Sequence, residues 1–227
     1  MTIFYTGSCL LCLGVISLIS SPVCDRCVAS WPHLRHSCPQ CGDASLQSDI
    51  PCGRCLSNPK PWHSLCCAGE YTGPTTWLIK GLKYHRQLAT VGPLAHQLCQ
   101  TIVRGHQPLP EAIIPMPLHW RRRWQRGFNQ STLIAHPIGK CLHIPIYMKG
   151  IRRTQPTPPL ESLDRQSRQR VMGKAFTVDP LPFQHVAIVD DVLTTGASAA
   201  ALTKALLSAG ATRVDLWVVA KTPTPMR

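Results

Sequence analysis

The stretch from about Val186 to Ala220 constrains the fold more than any other. It runs "HVAIVDDV", then "GASAAALTKALLSAG", then "RVDLWVVAKT": an apolar strand, an Ala-rich helix closed by Gly210, and a second apolar strand. A helix between two strands returns the chain to the end where the first strand began. The strands therefore pair parallel, through a right-handed crossover. A parallel sheet is buried on both faces and needs helices to cover it. The chain supplies them. "TTWLIKGLKYH" places Trp77, Leu78, Leu82 and Tyr84 at near-helical spacing, and "LATVGPLAHQLCQTIV" continues as a second apolar helix that Gly92-Pro93 starts. "AIIPMPL" reads as a buried strand ended by prolines, and "QSTLIAHPIGKCL" as a helix with Pro137 a candidate kink. The expected class is α/β.

Residues 1–67 read differently. They hold ten of the twelve cysteines, much Pro, Gly and Ser, and too little apolar mass for a core of their own. The chain thus divides into residues 1–67 and 68–227. Cys9-x2-Cys12, Cys24-x2-Cys27, Cys38-x2-Cys41 and Cys52-x2-Cys55 form four CxxC pairs, with gaps of eleven, ten and ten residues. A CxxC turn aims two thiolates at one ion, and two turns complete a tetrahedron. Four pairs at even spacing predict two zinc ions. Tandem pairing gives the shorter loops; interleaved pairing is the other arrangement the spacing allows. Cys66 and Cys67 are adjacent, cannot form such a turn, and are expected to pack.

Cysteine-rich chains are also found among secreted proteins. Here the apolar run Leu10 to Ile19 is short, is interrupted by Cys12, Gly14 and Ser17, and lacks a basic flank, so it does not read as a signal peptide. No stretch approaches the roughly 20 apolar residues of a membrane span. The expected location is the cytoplasm, where thiols stay reduced and free to bind metal.

The first strand of the opening stretch ends in Asp190 and Asp191, followed by Thr194-Thr195-Gly196 and Ser198. Two like charges at the end of a buried strand are costly unless a partner meets them. A turn at a helix N-terminus directs backbone N–H groups at a phosphate, and the hydroxyls of Thr195 and Ser198 suit the same ligand. Carboxylates accept hydrogen bonds from vicinal hydroxyls. A ribose 5-phosphate satisfies both halves. A P-loop would need Gly-Lys-Ser/Thr and a dinucleotide site GxGxxG, and the chain has neither.

The net charge is +13, from 24 basic and 11 acidic residues, and it is concentrated. Ala112 to Ala175 carries twelve Lys or Arg against Glu161 and Asp164 alone. Such a region attracts phosphates, whether of a nucleotide, a sugar phosphate or a nucleic acid; a merely soluble basic surface has the same composition. Its core, "HWRRRWQRGFNQ", holds four arginines and two tryptophans in twelve residues. Guanidinium forks suit pyrophosphate, and Arg with Trp suits stacked single-stranded bases. Arg121, Arg122 and Arg123 are the candidate DNA contacts. The polar, Pro-rich stretch from Arg152 to Phe176 reads as a mobile active-site loop.

"VDDVLTTGAS" resembles the phosphoribosyl pyrophosphate fingerprint of the type I phosphoribosyltransferases. With "CGRCL", "GLKY", "PMPLH" and "RGFNQ", the likeness extends over nearly the whole chain to the ComF family, including its GntX-type proteins of Gram-negative bacteria. The resemblance implies a type I phosphoribosyltransferase-like parallel sheet with flanking helices, preceded by a small double zinc-ribbon segment. It implies Asp190 and Asp191 on the ribose hydroxyls, and Thr194, Thr195, Gly196 and Ser198 on the 5-phosphate. Arg126, Gly127 and Arg168 follow as pyrophosphate or loop contacts, with Mg²⁺ accompanying phosphoribosyl pyrophosphate or a related sugar phosphate.

The family is linked to DNA uptake in transformation or to the use of external DNA as a nutrient. The resemblance therefore implies a competence-associated protein with a nucleotide pocket, single-stranded DNA as partner and the uptake machinery as a candidate partner. The alternative is an active phosphoribosyltransferase that moves ribose 5-phosphate to a base or amine and releases pyrophosphate. Two departures bear on it. Purine transferases often carry an aspartate base where this chain has Thr194, and a threonine hydroxyl is no base at neutral pH. The loop amides of the family are replaced by Leu160 and Val171. No catalytic residue is therefore assigned.

Overall fold

A computed structural model of the chain describes residues 6–17, 22–34, 36–45, 50–118, 126–154 and 175–223. In chain order, β1 (Thr6–Ser8) and β2 (Val15–Ser17) form an antiparallel hairpin, and the short helices α1 (Asp25–Ala29) and α2 (Gly53–Ser57) each follow a CxxC cysteine. Next come β3 (Leu65–Cys67), α3 (Gly73–His85), α4 (Val91–Arg104), β4 (Ala112–Pro115) and α5 (Gln130–Leu142). The chain continues with β5 (Ile151–Arg153), β6 (Phe176–Val178), β7 (His185–Leu193), α6 (Ala197–Ser208) and β8 (Arg213–Lys221).

Among the described residues, four parallel strands form the central sheet in the order β3-β8-β7-β4. The two buried faces of the sheet follow from strand alternation. Ala187 and Val189 of β7, with Trp217 and Val219 of β8, point into one layer, where Leu82 of α3, Leu98 of α4 and Ile138 of α5 meet them. Val186 and Ile188, with Leu216 and Val218, point into the other, covered by Leu202 and Leu206 of α6 and by Phe176. The continuous apolar runs in β7 and β8 are thus the consequence of burial on both faces.

The helix α5 spans the stretch its periodicity predicts, runs on through Pro137, and is capped by Asn129, whose side chain accepts from the Ser131 N–H at 3.1 Å. In α3 the apolar residues separate by face. Leu78 and Leu82, one turn apart, are buried, whereas Trp77 is 45% and Tyr84 67% exposed, seven residues apart on the outer side.

The winding of the sheet fixes where a ligand can sit. From β4 the chain passes through α5 to Ile146, which bridges Ile113 on the side of β4 away from β7. From β7 it passes through α6 to β8, in the opposite direction. The strand order therefore reverses between β4 and β7. Open parallel sheets bind ligands beyond the carboxyl ends of their strands at such a switch point.

The N-terminal segment is attached to this sheet at several points. The strand β3 is an edge of it, the backbone carbonyl of Pro39 accepts from the Leu65 N–H at 2.8 Å, and Lys221 at the end of β8 donates to Asp43. Trp62, only 2% exposed, packs in the α6 layer and donates its Nε1–H to the carbonyl of Gln40 at 2.8 Å. The strands β5 and β6 form an antiparallel hairpin that brackets the expected mobile loop; residues 155–174 of that loop lie outside the described residues. Among the described residues, no helix is long and apolar enough to cross a membrane.

Candidate functional site

Asp190 and Asp191 lie at the carboxyl end of β7, at the switch point, and each has a different partner. Asp191 is buried, and Lys83 Nζ from α3 reaches its Oδ2 at 2.6 Å. Asp190 is half-buried; its Oδ1 accepts from the Ser131 hydroxyl of α5 and from the Asp191 N–H, both at 2.9 Å. Burial and the neighbouring Asp191 carboxylate push the Asp190 carboxyl up to about 7, against the opposing pull of the Asp191 N–H, Lys83 and Ser131. One acid thus has a lysine as its partner. The other sits near the middle of its titration at neutral pH, short of positive charge and able to accept a cation or a donor hydroxyl.

Past the acids, Thr194 and Thr195 are exposed, and Gly196 turns the chain into α6 with φ of 76°. Any side chain there would be strained, and its Cβ would stand 3.0 Å from the Trp62 ring. Thr195 Oγ1 accepts from the Ala197 N–H at 3.4 Å. Arg153 of β5 donates to Ser198 Oγ at 3.3 Å and lies over the Phe176 ring at 5.4 Å. The hairpin thereby delivers a guanidinium to the turn, where an anion can meet backbone N–H groups, hydroxyls and positive charge together.

The opposite wall comes from β4 and the start of α5. The Asn129 side chain donates to the carbonyl of Met116 at 3.0 Å while capping α5, which ties the loop after β4 to the helix that carries Ser131. Arg126 lies over the Tyr84 ring at 5.5 Å, one residue from Lys83, and Gly127 adopts φ of 80°. "RGFN" and "GLKY" thus meet across the site. Two clefts flank it. One of about 500 Å³ runs between Pro117, Leu118, Phe128, Arg152 and Arg153. The other, of about 450 Å³, lies between the turn at Thr194 to Gly196 and Arg54, Asn58 and Lys60 of the N-terminal segment.

The cysteines gather as sequence-adjacent pairs: Cys9, Cys12, Cys24 and Cys27 in one cluster, Cys38, Cys41, Cys52 and Cys55 in another, all Sγ atoms of each within 4.8 Å. Cys12 and Cys24 Sγ are 3.7 Å apart, and Cys41 and Cys52 Sγ 3.6 Å. A tetrahedral ion with metal–sulfur bonds of about 2.3 Å sets its sulfurs about 3.8 Å apart, so both clusters fit a metal ion and are consistent with zinc. Backbone N–H groups of Cys24 and Cys52 point at Cys9 and Cys38 Sγ, at 3.4 and 3.2 Å. Burial raises the Cys9 and Cys38 thiols, but the backbone N–H groups of Cys12, Cys24 and Leu11 around Cys9, and of Cys52, Cys41 and Gln40 around Cys38, together with the neighbouring cysteine side chains, outweigh it and bring both down to about 6. Burial and neighbouring thiols push Cys27 up to about 12 and Cys55 to about 11. Protons alone leave such a cluster short of thiolates; a dication removes the repulsion between them.

Among the predicted site residues, Asp190, Asp191, Thr194, Thr195, Gly196, Ser198, Arg126 and Gly127 converge at this end of the sheet. Arg168, Arg121, Arg122 and Arg123 lie outside the described residues. Lys83, Ser131 and Arg153 were not singled out from the sequence. For Lys83 a signal existed: it falls one turn after Ile79 on the buried stripe of α3, and a lysine on such a stripe needs an acid.

No family model matches the chain. Whole-chain relatives do. DNA utilization protein YhgH of Escherichia coli O157:H7 is 35% identical over 221 residues, 95% of this chain and 97% of that protein. The protein of the same name from Salmonella typhi is 36% identical over 222 residues, with the same coverage. Competence protein F of Haemophilus influenzae is 30% identical over 229 residues, 96% of this chain and 98% of that protein.

Two expectations follow from this geometry. Protein purified without chelator should carry two metal ions per chain by elemental analysis. Replacing Cys24 and Cys27, or Cys52 and Cys55, with Ser should remove one ion each; a ratio near zero in the parent protein contradicts the reading. The acid pair should separate by pH. The folded protein holds the Asp190 proton up to about 7, while the unfolded chain releases it near 3.8. Stability therefore falls as pH rises through that window. Asp190→Asn should lack this fall, so its denaturation midpoint gains on the parent's between about pH 5 and about pH 8. Asp191→Asn strands Lys83 and should cost roughly 3 kcal/mol.

Proposed function

The chain belongs to the ComF family of DNA utilization and competence proteins, and from that premise we propose that it serves the uptake or use of external DNA. In this reading a phosphoribosyl pyrophosphate pocket lies at the switch point, and a basic surface beside it takes single-stranded DNA. The observation that carries the pocket is the convergence of Asp190, Asp191 and the Thr194 to Ser198 turn at the carboxyl end of β7, with Arg153 at Ser198. The acids would meet the ribose hydroxyls, and the turn the 5-phosphate. Arg126 and Gly127 would face the pyrophosphate, with Arg168 of the loop. Mg²⁺ would offset the charge that Asp190, Asp191 and the pyrophosphate bring together. Zinc would fill both cysteine clusters and hold the rest of residues 1–67 as a double ribbon on the nucleotide-binding body of residues 68–227, to whose sheet β3 adds an edge strand. A cytoplasmic location keeps those thiols reduced.

Thr194 favours binding over group transfer. It is exposed and sits where a transferase would place a base, and its hydroxyl cannot serve as one at neutral pH. The DNA surface rests on charge. The chain leaves the site at Leu118 and returns at Arg126, both beside the clefts, and the intervening segment carries Arg121, Arg122 and Arg123.

Calorimetric titration with phosphoribosyl pyrophosphate and Mg²⁺ should show binding that the folded Asp190→Asn, Asp191→Asn double variant loses. Unchanged affinity in that variant overturns the pocket, and pyrophosphate release with any base reinstates the transferase reading. For DNA, affinity should fall with salt at a log–log slope of about −0.7 per phosphate neutralised. Replacing Arg121, Arg122 and Arg123 with Ala should weaken binding without changing sequence preference and flatten the slope by up to about two units. If that variant binds DNA normally and loses the sugar phosphate, the segment belongs to the pocket.

A further inference from the structure

Cys99 and Cys141 stand apart from the CxxC array, and neither belongs to a metal cluster. They are 42 residues apart in the chain, yet the fold brings their Sγ atoms to 2.8 Å. Cys99 lies in the middle of α4, and Cys141 in the last turn of α5. The approach is fixed by packing, because Leu94, Ala95 and Leu98 of α4 and Ile134, Ala135 and Ile138 of α5 share one buried layer. The two thiols differ in access: Cys99 is 6% exposed, Cys141 open to solvent. A disulfide needs its sulfurs at about 2.05 Å, so closing this pair asks for a movement under 1 Å, within the adjustment of two χ1 angles.

We propose that Cys99 and Cys141 form a reversible intramolecular disulfide by exchange with a small-molecule disulfide of the glutathione type. The exposed Cys141 thiolate attacks one sulfur of the small disulfide and expels the other as a thiolate, leaving a mixed disulfide on Cys141. Cys99 then loses its proton to the expelled thiolate, attacks Cys141 Sγ and displaces the second small thiol. Two protein thiols are oxidised and one small disulfide is reduced to two thiols. The order follows from the environment: burial, and then the nearby Cys141, push the Cys99 thiol up to about 12, so the first attack falls to the partner in solvent. The bond closes a loop that contains β4, the basic segment through Arg126, and the first turn of α5. That turn carries Asn129 and Ser131, which hold Met116 and Asp190.

The test uses the metal-loaded full chain. It is incubated with oxidised glutathione, alkylated, digested and mapped by mass spectrometry, with metal counted before and after. The expected product is a Cys99–Cys141 linked peptide pair, with the mass of two hydrogens lost, metal content unchanged, and a melting temperature raised by about 5–10 °C. Reduction should reverse all of it. Cys141→Ser, an exposed substitution, should abolish both the link and the thermal shift, and Cys99→Ala should leave a stable glutathione adduct on Cys141. A parent protein that stops at that adduct, links Cys141 between two chains, or shows the same thermal shift as Cys141→Ser overturns the proposal.

Discussion

The burial of two adjacent carboxylates at the end of β7 is the constraint around which the site is built. Side by side at the end of β7, Asp190 and Asp191 repel one another, and Lys83, paired with Asp191, offsets only part of what burial and that repulsion impose on Asp190. The fold answers with a different element for each. The helix α3 sends Lys83 to Asp191, and α5 sends the Ser131 hydroxyl to Asp190. Burial and the neighbouring Asp191 carboxylate outweigh Lys83 and the Ser131 hydroxyl, so the Asp190 carboxyl stays raised to about 7. Asp190 thus stands at the switch point with less opposing positive charge than Asp191 has. Carboxyl groups shifted in this way cluster at functional sites.

The same pair explains why helices distant in sequence are held in register. Lys83 anchors α3, Ser131 anchors α5, and Asn129 joins α5 to the loop after β4. Arg126 over Tyr84 adds a contact between the approach to α5 and the end of α3. Each link is worth little alone, but together they set the wall opposite the Thr194 to Ser198 turn. On the far side of that turn, Trp62 lies under Gly196, and its indole N–H is bonded to Gln40 within the third CxxC turn. Asp43, just beyond Cys41, takes both Arg54 and Lys221. Burial lowers the Lys221 pKa, so this contact is a desolvated one that depends on Asp43 remaining in place. The second cysteine cluster is thus mechanically continuous with the turn, while the first, centred on Cys9 and Val23, packs in a small cluster of its own.

Much of this was legible in the residues. The parallel pairing of β7 with β8, the helix between them, the extent of α5 and the grouping of cysteines by CxxC all follow from local patterns, because period, cap and spacing are properties of neighbours in the chain. Between tandem and interleaved pairing of the CxxC turns, spacing left two arrangements, and the fold selects the tandem one. Near-helical spacing groups Trp77 and Tyr84 with Leu78 and Leu82, but the fold buries only the two leucines and leaves Trp77 and Tyr84 on the outer side. Apolarity alone does not say which face a residue takes when the stripe is wide.

What the sequence determined by itself was the class of the fold, the grouping of the cysteines and the acid pair with the glycine turn that follows it. Each is encoded within a few tens of neighbouring residues at most, so local periodicity, sterics and hydrogen bonding suffice to specify it. Tertiary structure alone decided which distant groups meet: Lys83 with Asp191 across 108 positions, Arg153 with Ser198, Trp62 beneath Gly196, and Leu65–Cys67 as a strand of the sheet. Those contacts come from the order in which strands lie beside one another and from the reversal of winding between β4 and β7. That order is set by the packing of whole layers, and no window of sequence contains it.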